Sequence, residues 1–183
     1  MRSVVLQMGV SQDGYVARLD GDLDWGLPPE DEAVTAWKLD SMREVGTHIM
    51  GRVTYEAMAA HWPSSKEMFA APMNNVPKVV FSRTMPEADW PESRIARGHL
   101  AAEIDTLRHE PGGDIMAHGG ASFVQALSQQ HLIDEYRLVI RAVALGSGLP
   151  LFKDLTAPQP LTLISATTYP DSTSIHVYRP RTP

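Results

Sequence analysis

The chain contains no cysteine. That absence excludes disulfides, thiolate nucleophiles and cysteine-bound metal, so any redox chemistry must come from a bound cofactor. It also permits a reducing compartment, and a cytoplasmic protein is the expectation. No apolar run approaches the roughly 18 residues of a membrane span. The opening Met1-Arg2-Ser3-Val4-Val5-Leu6-Gln7-Met8 turns polar too quickly for a signal peptide, so no membrane association is expected. Basic clusters are missing as well. With a formal net charge of -6, nothing grips a phosphodiester backbone, and a nucleic-acid partner is not expected. No G-x-G-x-x-G follows the first apolar stretch, which removes the Rossmann fingerprint, and no G-x-S-x-G marks a hydrolase elbow. The histidines His48, His61, His99, His109, His118, His131 and His176 never recur at ligand spacing. No metal site is expected, and each histidine reads as a surface or internally satisfied residue.

The stretch Gly113-Asp114-Ile115-Met116-Ala117-His118-Gly119-Gly120-Ala121-Ser122-Phe123-Val124-Gln125-Ala126-Leu127 organises the rest. Ile115 to Ala117 are apolar without alternation, as a strand covered on both faces is, while Phe123, Val124 and Leu127 recur at helical spacing. The glycine pair between them lets the backbone turn sharply and leaves the amides of a helix start facing any nearby anion. The same pattern occurs earlier. His48-Ile49-Met50 reads as a buried strand that passes through Gly51-Arg52-Val53-Thr54 directly into a helix, with Arg52 as a fixed charge and Thr54 as a hydroxyl donor. A third strand, 78–83, ends in Ser82-Arg83, a hydroxyl and guanidinium suited to a phosphate monoester.

Between these come an opening strand over 3–10 that ends in the turn Ser11-Gln12-Asp13-Gly14, and an aspartate-rich loop, Asp20-Gly21-Asp22-Leu23-Asp24-Trp25. The loop lacks the glycine and distal glutamate of an EF-hand, so it reads as a solvated turn or as a loop placing Trp25 over a pocket. Pro28-Pro29 open a helix whose apolar positions Val34, Trp37, Met42 and Val45 run to a stop at Gly46. A short helical piece is expected within 64–71, a short strand around Ile95 and a helix over 100–108. A long β run spans 136–145, and a terminal antiparallel hairpin forms from 161–169 and 174–178. Strands alternating with helices and then a hairpin predict one α/β domain over residues 1–183, with a mostly parallel central sheet.

Strand carboxyl ends carry the ligand groups of such a sheet, and here they carry two glycine-to-helix turns and a Ser-Arg pair. The pairing provides for a diphosphate and a separate monoester, a demand met by NADPH rather than NADH.

These residues in this order resemble the dihydrofolate-reductase-like family, and most closely its branch related to the reductase domain of the riboflavin-pathway bifunctional deaminase-reductase. The resemblance rests on Ser11 to Ala17, Asp20 to Trp25, Met50 to Glu56, Val80 to Thr84, Gly119 to Phe123, Leu132 to Tyr136 and Leu145 to Phe152. It implies a three-layer fold with helices on both sheet faces, and a homodimer. It also implies NADPH across the sheet, with Gly51, Arg52 and Thr54 around the phosphates and Ser82 and Arg83 at the adenosine-side monophosphate. Gly119, Gly120, Ala121, Ser122 and Phe123 then lie beneath the diphosphate and nicotinamide. The chain departs from the branch at Gln7, where a lysine is usual, and at His118, where a glutamate is usual. It departs from dihydrofolate reductases in having no acid near Val34 or Thr35.

The activity expected is hydride transfer to a small heterocycle, a pyrimidine or a pterin. Asp13 is the candidate proton donor, and Tyr15, Trp25, Trp37 and Tyr55 are candidate walls for a flat ring. A binding protein that keeps the cofactor cleft without catalysis is the alternative, and a dihydrofolate reductase-type activity a further one.

Overall fold

The computed structural model describes residues 1–26 and 30–181. Eight strands form one sheet in the order β5-β4-β3-β6-β1-β7-β10-β9. From one edge these are β5 (Ser93–Ala96), β4 (Lys78–Phe81), β3 (Val45–Gly51), β6 (Asp114–Ala117), β1 (Val4–Ser11) and β7 (Glu135–Arg141), all mutually parallel. The sheet ends in the antiparallel pair β10 (Ser174–Pro180) and β9 (Leu161–Thr168). A separate ribbon pairs β2 (Tyr15–Ala17) with β8 (Leu149–Pro150). This is the α/β architecture expected, with a mostly parallel sheet and a terminal antiparallel hairpin.

Among the described residues five α-helices cover the sheet: α1 (Glu32–Asp40), α2 (Arg52–His61), α3 (Ala70–Asn75), α4 (Leu100–His109) and α5 (Ala121–Gln129). Alternation along the strands decides which residues each helix meets. Val4, Leu6, Ile49, Val79, Ile115, Ala117, Tyr136 and Leu138 form one buried cluster with Ile104 and Leu107 of α4 and Phe123, Val124 and Leu127 of α5. Met50, Val80 and Met116 point the other way and pack with Tyr55 of α2, Met73 of α3 and Trp90. Val34 and Trp37 of α1 lie on Val139 and Ile175.

Several boundaries differ from those predicted. The start of the first helix at Pro28-Pro29 lies outside the described residues. That helix ends at Asp40 instead of running to Gly46, and Val45 opens β3. Beyond Asp40 the amides of Met42 and Arg43 bond to carbonyls three residues back, which tightens and closes the helix. Met42 and Val45 keep helical spacing because both reach the core from a turn and a strand. The helical piece expected within 64–71 is a 3-10 turn at Trp62–Ser64 followed by α3, with Pro72 in the first turn of α3, where its missing N–H is not needed. The β run over 136–145 stops at Arg141, where the chain folds back through the bond from Val143 N–H to Arg141 O. No helix among the described residues is long and apolar enough to cross a membrane.

Two cations act as internal staples. Arg2 donates to Gly113 O and Thr47 Oγ1 at the amino-terminal edge of the sheet. Lys78 is fully buried, and its ammonium donates to the carbonyls of Met73, Asn74 and Val76 at 3.1, 2.8 and 2.8 Å, which closes the carboxyl end of α3. The ammonium also lies 4.5 Å from the centre of the Trp90 ring. Replacing the cap leaves buried carbonyls without donors. Lys78→Met is expected to cost about 2–3 kcal/mol in urea unfolding with the denaturant slope unchanged, whereas wild-type stability in this variant would remove the capping role.

Candidate functional site

The carboxyl ends of β3, β4 and β6 converge on one side of the sheet because β6, late in sequence, is inserted between β3 and β1. Strand order reverses there, and a crevice opens at such a point. A cavity of about 350 Å³ lies in it, lined by Gly51, Arg52, Val53, Thr54, Phe81, Ser82, Gly120, Ser122 and Phe123.

Two helices begin at this cavity. Gly51 is the N-cap of α2 and Gly120 that of α5, and neither start receives a side-chain hydrogen bond. By contrast, α1 is capped by the Asp31 carboxylate, which accepts from Ala33 N–H. Uncapped first-turn amides carry the positive end of the helix dipole, so the cavity favours an anion from two directions. Glycine is required at Gly120 and fits closely at Gly51. Gly120 has φ +82, and a Cβ there would approach Thr54 Oγ1, while a Cβ on Gly51 would press on Phe123. Thr54 Oγ1 donates to Gly119 O at 2.5 Å and so ties the two turns together. Phe81 and Phe123, with ring centres 5.2 Å apart, give the cavity an apolar side.

Of the residues expected around a cofactor, Gly51, Arg52, Thr54, Ser82, Gly120, Ser122 and Phe123 line this cavity, and Gly119 and Ala121 adjoin it. Arg52 is held by the Glu56 carboxylate one turn on, at 2.9 Å. Ser82 Oγ accepts from the amides of Thr84 and Met85, which curls the chain after β4 and leaves Arg83 exposed beside the cavity. Three contributors had no local sequence signal. Phe81 is an ordinary strand residue until Phe123 meets it, and the exposed Val53 stands on the rim. Arg97, from the next strand's end, donates to the carbonyls of Met85, Pro86 and Arg83 and so orders the loop carrying Arg83.

The proton-donor expectation for Asp13 is corrected. Its carboxylate accepts from the Ser11 hydroxyl at 2.7 Å and from the amides of Leu145 and Gly146 at 3.1 and 2.7 Å. The Ser11 hydroxyl foremost, and then those amides, hold its carboxyl below the usual carboxylate range. Asp13 acts as an acceptor that clasps two loops together. The aromatic wall does not assemble as predicted either. Tyr55 is buried in the core against Trp90, and its hydroxyl accepts the Trp90 amide, so its ring is not available to a ligand. Trp37 packs on the Val34, Val139 and Ile175 cluster, Tyr15 sits over Gly148, and Trp25 lies on a 3-10 turn at Asp24–Gly26 with its indole N–H buried and unpartnered. In the aspartate-rich loop, Asp20 and Asp22 accept backbone amides and Asp24 pairs with Arg18.

The histidines hold a pairing that spacing did not disclose. His48 of β3 and His118, just past β6, are 70 positions apart, yet His118 Nε2 lies 2.8 Å from His48 Nδ1. The parallel register of β3 on β6 brings them together. The other ring nitrogen of His48 lies 3.2 Å from Pro72 O. Burial pushes His48 down to about 4 and, with His48 beside it, His118 well below its ordinary value, so both are neutral at pH 7. Gln7 is the next residue of β1 on the same face: Leu6 pairs with Ala117, and Gln7 and His118 follow them. No group of three or more His, Asp or Glu among the described residues is placed to hold a metal.

Residues 2–177 match the family model of the RibD C-terminal domain. YwjB of Bacillus subtilis (strain 168), an uncharacterized protein, is 30% identical over 178 residues, covering 97% of this chain and 98% of its own. A candidate riboflavin biosynthesis protein of Shewanella sp. PV-4 superposes with a TM-score of 0.77 at 26% identity over the full length of both chains. The diaminohydroxyphosphoribosylaminopyrimidine deaminase/5-amino-6-(5-phosphoribosylamino)uracil reductase of Thermotoga maritima shares the fold, with a TM-score of 0.68 at 17% identity, and 98% of this chain covers 57% of that one.

The buried histidine makes stability depend on pH. Above about pH 6.5 His48 is neutral in both folded and unfolded chains and has no effect. As the pH falls towards 4 only the unfolded chain takes up the proton, so folding loses stability, by about 3 kcal/mol once the pH is below the folded value. Urea midpoints are expected to fall between pH 6.5 and 4.5, and His48→Gln is expected to flatten that slope. An equal slope in the variant would assign the pH dependence to other groups.

Proposed function

The chain belongs to the RibD C-terminal domain family, of dihydrofolate-reductase-like fold, and from that membership we propose that it is an NADPH-dependent reductase acting on a small, uncharged heterocycle. One observation carries the cofactor half: two uncapped helix starts face a single cavity and are joined by the Thr54 to Gly119 hydrogen bond. The residues present fit the group. The amides at the starts of α2 and α5, with the hydroxyl of Ser122, suit a diphosphate, and Ser82 with Arg83 suits the extra monophosphate that distinguishes NADPH from NADH. Phe81 and Phe123 offer a face for a flat ring. When bound, the cofactor supplies a hydride to a carbon of a C=N or C=O group.

The chain's own residues then bind and orient. None of the nine residues lining the cavity is a carboxylic acid or a histidine, and on this reading water entering the crevice supplies the proton for the neighbouring heteroatom. Gln7 and His118, both uncharged, follow the last registered pair of β1 and β6, Leu6 with Ala117, and are the positions where the riboflavin-pathway branch usually carries lysine and glutamate. That exchange favours a substrate other than the phosphoribosylamino-pyrimidine of that branch. A homodimer belongs to the same proposal. Strand β9 is an outer edge with Leu163 and Ile164 about half exposed, an apolar edge that a second copy would cover.

NADPH is expected to raise the melting temperature by several degrees and NADH by less. Arg83→Ala should weaken NADPH binding about tenfold, the loss of one charge-assisted hydrogen bond, and leave NADH unchanged. No shift with either nucleotide sinks the reductase reading. A shift without substrate-dependent NADPH oxidation across a panel of pyrimidines and pterins would favour the non-catalytic binding alternative. For the dimer, sedimentation velocity is expected to give twice the chain mass, reduced to one by Leu163→Lys with Ile164→Lys. A wild-type monomer would end that part of the proposal.

A further inference from the structure

The hydrogen-bond chain through His48 and His118 has a direction. His48 Nε2 faces Pro72 O at 3.2 Å, and a carbonyl oxygen only accepts, so Nε2 carries the hydrogen. His48 is fully buried and contacts no carboxylate, and Lys78, the charged group nearest it, carries like charge, so the ring is neutral. A neutral ring with its hydrogen on Nε2 has a bare Nδ1. That atom lies 2.8 Å from His118 Nε2, which therefore donates. The hydrogen of His118 is thus committed to Nε2, and its own Nδ1 is left with a lone pair.

That lone pair is open to ligands. Among the described residues His118 Nδ1 has no hydrogen-bond partner, and the residue is half-buried. His118 follows β6 and directly precedes Gly119 and Gly120, the second of which lines the cavity. The backbone holds it there through the bond from His118 N–H to Ile49 O at 2.9 Å.

We propose that His48 is a positioning residue that fixes the tautomer of His118, and that His118 Nδ1 accepts a hydrogen bond from a ring N–H of the heterocyclic substrate. The second half rests on the reductase reading above, and the first does not. A fixed acceptor selects rings that present a donor, such as lactams and cyclic imides, and rejects their N-alkylated analogues, because an alkyl group in that place leaves the acceptor desolvated and unpaired.

Long-range ¹H–¹⁵N correlation spectra of the protein labelled with ¹⁵N-histidine test both halves. At pH 7 both rings are expected as the Nε2–H tautomer. Finding His118 as Nδ1–H overturns the proposal without recourse to any variant. In His48→Leu, His118 is expected to lose its single tautomer, and in His48→Gln, whose amide can again accept from His118 while donating to Pro72 O, to regain it. An unchanged His118 spectrum in a folded His48→Leu variant overturns the positioning role. For the substrate half, uracil added to the NADPH-saturated protein is expected to displace the His118 Nδ1 resonance, and 1,3-dimethyluracil to leave it in place. No displacement by uracil, or equal displacement by both, overturns recognition of the N–H. If NADPH itself moves no resonance near the crevice, the reductase reading fails and takes the substrate half with it, while the tautomers still decide the role of His48.

Discussion

The insertion of β6 between β3 and β1 is the constraint from which the rest of the molecule follows. Parallel strands need a crossover between them, and β6 arrives only after the chain has built β3, α2, α3, β4, β5 and α4. Its three registered pairs with β1, through Val4, Val5 and Leu6, and its pairs with β3, through Val45 to Ile49, set the depth at which it stops. That depth places Gly119 within reach of Thr54 and His118 within reach of His48. A slip of one residue would turn Ile115 and Ala117 out of their core and break both contacts at once.

Polar groups are treated differently at the two ends of the sheet. At the amino-terminal edge Arg2, Arg108, Arg137 and Arg179 each meet a carbonyl or a carboxylate, among them Asp134 and Glu135, so the charges are spent on holding strands and helices together. Glu30 does the same for α1, receiving both Lys38 and Arg141. At the carboxyl-terminal edge two helices start with no side-chain acceptor and Arg83 stands exposed beside the cavity. The starts of α3 and α4 also lack a side-chain cap, and what sets the crevice apart is that two such starts face one cavity.

Local chemistry was legible in the sequence and tertiary coincidence was not. Gly51 and Gly119-Gly120 announced themselves because a strand, a glycine and a helix are contiguous, and Ser82-Arg83 because both stand at a strand end. Asp13 is ambiguous in the sequence because an acid in an Asp-Gly turn has two uses, and the amides of Leu145 and Gly146 that hold it lie more than 130 positions away. Tyr55 was misjudged because α2 shows one face to the cavity and another to Trp90, and periodicity does not say which face is which. The His48 and His118 pair had no spacing to reveal it, since strand register alone joins them.

The bare helix starts also bear on how this protein must be handled. An N-terminus without a side-chain acceptor does not discriminate among anions, so phosphate and sulfate compete there with any nucleotide. Buffer composition is therefore a thermodynamic variable for this crevice, and affinities measured in phosphate will read weaker than those in a zwitterionic buffer.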